Sequence, residues 1–309
     1  MAKLITGGSG LLGAELAHLL VERGEDIIVF DRVKSSRLND IEDGIRIIRG
    51  DLSNPSEVFN VVKDYKIKDI YHLGAILSVE SETNPWASFQ TNLVGTYNVL
   101  EAARLFNVEK VMFTSTLLTF DLAAEPVLTD TILQRPTYIY GVNKLYCEGL
   151  GRFYHKKFGL DFRSIRYPSV VGPGDITPSH WDGPMIEHAV RGETYRSVVN
   201  EDASAPMIYY RDAALAADMV LQAPGDSIKM MNYNVAGTGI VTAIELEQAI
   251  KKQIPGTVVV YPDTRVFHPL AHVKMWDDSY ARREWGWKPT CSTIDEVVSA
   301  FVIDSKKAK

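Results

Sequence analysis

The stretch Lys3-Leu4-Ile5-Thr6-Gly7-Gly8-Ser9-Gly10-Leu11-Leu12-Gly13 decides how the chain is read. Residues 2–6 form a short apolar run that reads as a strand, and Leu11, Leu12, Leu16, Leu19 and Leu20 fall at helical spacing over residues 10–23. Between strand and helix stand Gly7, Gly10 and Gly13. Glycine there permits a positive φ in the turn, lets the backbone approach a pyrophosphate, and lets the helix pack closely on the strand. The phosphates then meet the positive end of the helix dipole. A glycine turn of no further meaning has the same look. The next element sharpens the reading: a second strand, IIVF at 27–30, ends at Asp31. A carboxylate at that place accepts ribose hydroxyls and repels a 2′-phosphate, so NAD is expected rather than NADP, with Arg32 beside it as the counter-indication.

Outward from this loop the alternation continues. IRII at 45–48 reads as a strand, 55–65 as a helix, DIYHL at 69–73 as a strand, 85–106 as a long helical segment and KVMFT at 110–114 as a strand. A helix is expected from about Thr137 to Phe158, then a strand FRSIRY at 162–167. Strands alternating with helices mean an α/β fold with a doubly wound parallel sheet of the Rossmann type. After Pro168 the texture changes, because PSVVGPGDITPSHWDGP crowds Gly, Pro, Ser and Asp together. The division expected is therefore a dinucleotide-binding domain over 1–168 and, over 169–309, mainly a smaller substrate-binding lobe, with some segments returning to the first domain. In that second part helices are expected near 185–192, 211–222, 242–253 and 292–303, and strands at 233–236 and 257–261. Asp51 and Leu52, after the third strand, are placed to flank an adenine ring, although Asp51 would equally serve as a loop acid before a helix. Leu73 and Ala75, at the end of the fourth strand, fall where the middle of the cofactor lies.

Fourteen tyrosines occur, and Tyr140 alone has a lysine four residues later, Lys144. On a helix that spacing puts both on one face, where an ammonium can stabilise a phenolate. Tyr140 could then take a hydroxyl proton as hydride leaves carbon. The pair comes after the fifth strand, which ends Thr114-Ser115-Thr116, hydroxyls suited to hold a substrate oxygen. Strand-end capping is the plainer role for them.

With 309 residues, 46% hydrophobic and 23% charged, the chain can bury a large core. The net charge of -6 argues against nucleic acid or anionic lipid as a partner, since both call for clustered Lys and Arg. No run reaches the roughly 18 apolar residues of a membrane span, and the first residues lead into a strand rather than a cleavable signal. Two cysteines, Cys147 and Cys291, make no disulfide framework and fit a cytoplasmic setting. No metal is expected: His268 and His272 stand four apart without a third ligand. His180, Trp181 and Asp182 fall in a loop placed to close over a substrate, and Trp285 and Trp287 are expected to anchor the C-terminal segment in the core.

GGSGLLG, Asp31, Thr114-Ser115-Thr116 and Tyr-Gly-Val-Asn-Lys (140–144), in this order, resemble the extended short-chain dehydrogenase/reductase family of the NAD-dependent epimerase/dehydratase superfamily. The resemblance covers nearly the whole length. It implies that Thr116 joins Tyr140 and Lys144 in catalysis and that Lys144 also grips the nicotinamide ribose. Within the family the chain is most similar to short-chain L-threonine 3-dehydrogenases, through the segments YHLGAILSVESETNPWASFQTNLVGTYNVLEAAR, RPTYIYGVNKLYCEGLGRFYHKKFGLDFRSIRYPS, APMIYYRDAALAADMVL and ARREWGWKP. By matching position, Ser78 and Ser115 help bind a small polar substrate and Tyr167-Pro168 border the nicotinamide, with Ser169 next on the substrate side. The expected activity is NAD-dependent oxidation of a threonine-like secondary alcohol to a ketone. The long helices around 85–106 and 137–158 are expected to pair two subunits, giving a homodimer.

The departures point to an alternative. Threonine dehydrogenases usually have Gly and then a GTTDYA-like stretch after the RYP segment, where this chain has Ser169 and then VVGPGD. A GPG turn there is common in sugar-nucleotide epimerases and dehydratases, which keep NAD bound. Arg191, Arg196 and Arg211 are the candidates to meet a nucleotide sugar in that case. A dinucleotide-sensing protein without chemistry is a third reading, opposed by the joint presence of Thr116, Tyr140 and Lys144.

Overall fold

Seven strands, β1 (Lys3–Thr6), β2 (Ile27–Asp31), β3 (Ile45–Arg49), β4 (Asp69–His72), β5 (Lys110–Thr116), β6 (Asp161–Tyr167) and β7 (Asn232–Asn234), form one parallel sheet in the order β7-β6-β5-β4-β1-β2-β3. The computed structural model describes residues 2–120, 125–174, 177, 180–266 and 271–307. β1 and β4 are buried along their whole length, because helices cover both faces of a parallel sheet and leave it no polar side. Strand order reverses at β1, which pairs β2 on one side and β4 on the other. The crossovers leave that point in opposite directions, so a crevice opens outside the carboxyl ends of the strands.

The helices that make the crossovers are α1 (Leu11–Glu22), α2 (Pro55–Asp64), α3 (Ser78–Thr83), a run from Pro85 to Leu105 that ends in α4 (Gly95–Leu105), and α5 (Ile139–Phe158). The expected single helix over 85–106 is helical throughout but contains a π-helical turn, Phe89–Val94. The helix expected from Thr137 begins at Ile139, since Tyr138 is still extended at ψ 133°, and Gly159 at φ 75° ends it.

After residue 168 the four expected helices are present as Asp182–Arg191, Tyr210–Gln222, Ala243–Gln253 and Ile294–Lys307. Tyr210–Gln222 returns to the sheet and packs its alanines, Ala213, Ala214, Ala216 and Ala217, into the core that also holds α1. The strand expected at 233–236 is β7, which extends the central sheet. That expected at 257–261 is reduced to Val259–Val260, paired with Tyr195–Arg196. Not foreseen is a three-stranded sheet of Ser169–Val171, Ser204–Tyr209 and Ile240–Thr242. A separate core forms where these strands meet the helices Asp182–Arg191 and Ala243–Gln253. Trp285 and Trp287 are buried as expected, and the indole of Trp287 donates to Ala236 O at 3.0 Å. Among the described residues no helix is long and apolar enough to cross a membrane.

Candidate active site

A cavity of about 680 Å³ occupies the crevice at the switch point. That falls within the range usual for ligand and cofactor pockets. At one end Gly7 (φ +68°) turns β1 into α1, and a Cβ there would lie 2.6 Å from the backbone of Gly74. Gly13 lies against the same turn: its Cβ would stand 2.3 Å from Gly7 O. The turn is therefore too tight for a side chain at Gly7 or Gly13. Gly10 caps α1 without a side-chain hydrogen bond, and the first turn of α1 carries no acid. Its N–H groups face the cavity with the positive end of the helix and suit an anion.

Asp31 ends β2 on the cavity wall. Its Oδ2 accepts from Ser9 N at 3.0 Å and its Oδ1 from Val33 N at 3.3 Å, which ties the acid to the glycine loop. Asp51 lines the cavity as expected, and it also serves its local role, accepting from Ser53 N and Ser53 Oγ at 2.8 Å. Leu11, Leu12, Leu52, Leu73 and Ala75 complete this half of the wall.

The other half gathers Ser78, Thr114, Ser115, Thr116, Tyr140, Tyr167 and Ser169. These come from α3, β5, α5, β6 and the strand directly after β6. Thr116 Oγ1 accepts from Leu118 N at 3.2 Å, which leaves its own proton available. Ser115 is different: its hydroxyl donates to the buried carboxylate of Glu148 at 2.6 Å and is committed there. Tyr167 lends its ring, since its hydroxyl donates to Ala213 O at 2.8 Å. Ser169 Oγ is buried and has no hydrogen-bond partner among the described residues. His180, Trp181 and Asp182 line the same half.

Tyr140 and Lys144 share one face of α5, as the spacing predicts, but their relation differs from the simple picture. Lys144 does not line the cavity. It stands behind Tyr140, with Nζ donating to Thr114 O at 2.6 Å, 5.6 Å from the centroid of the Tyr140 ring and 4.6 Å from that of Phe113. Burial pushes the Lys144 ammonium down to about 8, against the opposing pull of Cys147 and Glu148. Burial also holds the Tyr140 phenol above the usual tyrosine range. The expected depression of the phenol is therefore absent from the protein alone, because loss of water outweighs a neighbouring charge that is itself poorly hydrated.

Sequence reasoning missed the support behind the pair. Glu148, one turn beyond Lys144, accepts two hydrogen bonds from Arg166, at 2.8 and 2.7 Å. Both are fully buried, and Arg166 holds the Glu148 carboxyl below its usual range despite burial. The same spacing of four that singled out Tyr140 and Lys144 would have continued to Glu148. Equally unforeseen, Arg37 reaches from the segment after β2 to Pro173 O at 3.2 Å and Gly174 O at 3.0 Å. The GPG turn is thus a docking point for an arginine from the segment after β2. His72, buried between Thr6 Oγ1 and Thr96 Oγ1 at 2.7 and 2.9 Å, is held neutral, its pKa pushed down to about 3 by burial and by Lys144.

Among the described residues no three His, Cys, Asp or Glu side chains stand together as a metal site; His268 lies outside them. Comparison with known proteins adds to the geometry. The family model described as NAD dependent epimerase/dehydratase matches residues 3–236. The chain belongs to the NAD-dependent epimerase/dehydratase family. Mitochondrial L-threonine 3-dehydrogenase of Sus scrofa is 31% identical to this family member over 293 residues, 92% of this chain and 78% of that protein. The solved structure of L-threonine dehydrogenase from Cupriavidus necator superposes with a TM-score of 0.89 at 30% identity, covering 98% of this chain and 99% of the other. UDP-glucose 4-epimerase of Thermotoga maritima, at 21% identity and TM-score 0.89 over 100% and 99% of the two chains, shares the fold. The protein is accordingly an NAD-dependent enzyme of the extended short-chain dehydrogenase/reductase type.

Proposed function

We propose that this enzyme oxidises the secondary alcohol of a small polar hydroxy compound, of the L-threonine type, to a ketone, with Tyr140 as the general base. The observation that carries the reading is the convergence of Tyr140, Thr116 and Ser78 on one end of a cavity whose other end is the glycine cradle with Asp31. NAD, when bound, supplies the oxidised nicotinamide that takes up the hydride. The chain's own groups do the rest. Gly7, Gly10 and the start of α1 hold the pyrophosphate, Asp31 accepts from ribose hydroxyls, and Asp51 and Leu52 flank the adenine. Thr116 donates to the substrate oxygen, Tyr140 receives its proton, and Lys144, held on Thr114 O, supplies positive charge behind the phenol. Ser78 and Ser169 meet the polar remainder of the substrate, with Ser115 holding their wall in place.

Charge supports a small substrate over a nucleotide sugar. Among the described residues Arg32 is the one arginine or lysine lining the cavity, and it stands beside Asp31 at the adenosine end. A sugar diphosphate calls for cationic clamps where the substrate lies. Arg191 instead pairs with Glu187, Arg211 with Asp304, and Arg196 is exposed on its short strand; none lines the cavity. The GPG turn, the feature that favoured a nucleotide sugar, receives Arg37. Purified protein given NAD and a panel of β-hydroxy amino acids should form NADH, read by its absorbance. Interconversion of UDP-glucose and UDP-galactose without net NADH would overturn this reading.

Association is proposed as a homodimer. Tyr97 on α4 and Val142, Tyr146 and Phe153 on α5 are 48%, 40%, 55% and 53% exposed, apolar side chains on the two helices expected to pair. Sedimentation should give twice the 34.5 kDa of one chain, and Tyr146→Glu with Phe153→Glu should give one. The two unpaired cysteines support a reducing compartment such as the cytoplasm.

A further inference from the structure

Helix α5, which carries Tyr140, lacks a cap of its own. Tyr138 at its N-terminal boundary gives no side-chain hydrogen bond to the first turn. The first N–H groups of a helix have no partner within it, and a terminus without a cap frays. Here the fraying turn holds the general base as its second residue.

The partner comes from elsewhere in the chain. Ile139 N donates to Glu82 Oε1 at 2.6 Å, across 57 positions of sequence. Glu82 makes no ion pair among the described residues, so the helix terminus is where its charge is spent; a carboxylate suits that end of the helix dipole. Glu82 also lies four residues after Ser78 on α3, and residues so spaced share a helix face. Ser78, Glu82, Tyr138 and Tyr140 all line the cavity. One short helix therefore carries a candidate substrate contact and the group that fixes the start of the catalytic helix.

The opposite side of that turn is fixed as well. A Cβ on Gly141 would stand 2.3 Å from Leu118 O, so α5 is seated directly on the turn just after Thr116. With backbone contact on one side and Glu82 on the other, the first turn has little room to shift.

We infer that Glu82 is a positioning residue for the reaction: by capping α5 it holds Tyr140 in register with Ser78 and Thr116. This rests on the proposed function for what Tyr140 does, but the cap itself is tested apart from it. Full-length wild-type, Glu82→Ala and Glu82→Gln proteins are compared in two ways. In the first, amide hydrogen exchange of peptides spanning 138–146 is followed by mass spectrometry. Exchange several-fold faster in Glu82→Ala, and near wild type in Glu82→Gln, which keeps an acceptor oxygen, is the expected result. Unchanged exchange in Glu82→Ala overturns the inference whatever the substrate proves to be. In the second, turnover of L-threonine with NAD is expected to fall about tenfold in kcat for Glu82→Ala, the scale of a lost cap, with KM for NAD unchanged and kcat largely restored in Glu82→Gln. A loss that glutamine does not restore assigns the effect to the charge acting on substrate and overturns the positioning role. A wild type inactive on L-threonine counts against the proposed function alone, and the exchange result still decides the cap.

Discussion

Replacing Tyr140 by Phe is expected to lower the rate of NADH formation from L-threonine by about 10²–10⁴-fold, the span usual for loss of a general base. The substitution keeps the ring between the cavity and Lys144 and removes only the hydroxyl. NAD binding, titrated through the fluorescence of the reduced form, should change little, because the glycine cradle and Asp31 lie at the other end of the cavity. The pH dependence is set by burial. Tyr140 is held above its usual range, so the protonated phenol dominates at neutral pH and the wild-type rate should climb as pH rises above 7. Lys144, pushed down to about 8, keeps its full charge only below that value and loses it over the same climb. The rising limb should therefore flatten above about pH 8. A drop of less than about tenfold in Tyr140→Phe would remove Tyr140 from the mechanism.

The second large effect is expected at Gly13. Alanine there would place its Cβ 2.3 Å from Gly7 O and 2.6 Å from Gly8 Cα, both backbone atoms that cannot swing aside. Relieving such a clash costs on the order of 1–3 kcal/mol, and the movement must open the turn proposed to hold the pyrophosphate. Gly13→Ala should weaken NAD binding by roughly 5–150-fold, the same energy expressed as affinity, and should lower the thermal midpoint. Gly10→Ala is the control for the fold. Its Cβ would meet Gly7 O at 3.4 Å, an ordinary contact, and its φ of -73° suits any residue, so its thermal midpoint should stay near wild type. Equal midpoints for both variants would contradict the reading of the loop.

Much of this architecture is legible from local pattern. Strand and helix periodicities differ, so their alternation from Lys3 to Tyr167 reads directly as a parallel sheet, and the glycine loop with Asp31 marks its switch point. The spacing of Tyr140 and Lys144 needs only the helical repeat. What stays hidden depends on contacts between distant segments. Lys144 is drawn to the carbonyl of Thr114 rather than exposed beside the phenol, and no spacing within α5 reveals that. Ser115 could have been read more closely: side chains alternate along a strand, so Thr114 and Thr116 share one face and Ser115 takes the other, where Glu148 waits. The π-helical turn Phe89–Val94 leaves no mark in a pattern that remains helical overall. Arg37 stands in no motif, yet its guanidinium donates to the carbonyls of Pro173 and Gly174 at the GPG turn, 136 and 137 positions away in sequence. The strands Ser169–Val171, Ser204–Tyr209 and Ile240–Thr242 are short, and they pair across long stretches of chain. Propensity says little about such elements.

In the proposed reaction hydride leaves a substrate carbon for the nicotinamide while Tyr140 takes the hydroxyl proton. The direct measurement uses L-threonine carrying deuterium on its hydroxyl-bearing carbon, with mass spectrometry of the cofactor after reaction. The expected result is NADH holding one deuterium from the wild-type protein and almost none formed by Tyr140→Phe. Cofactor that remains oxidised and unlabelled with every β-hydroxy amino acid tried, or label that returns to the substrate, would contradict it.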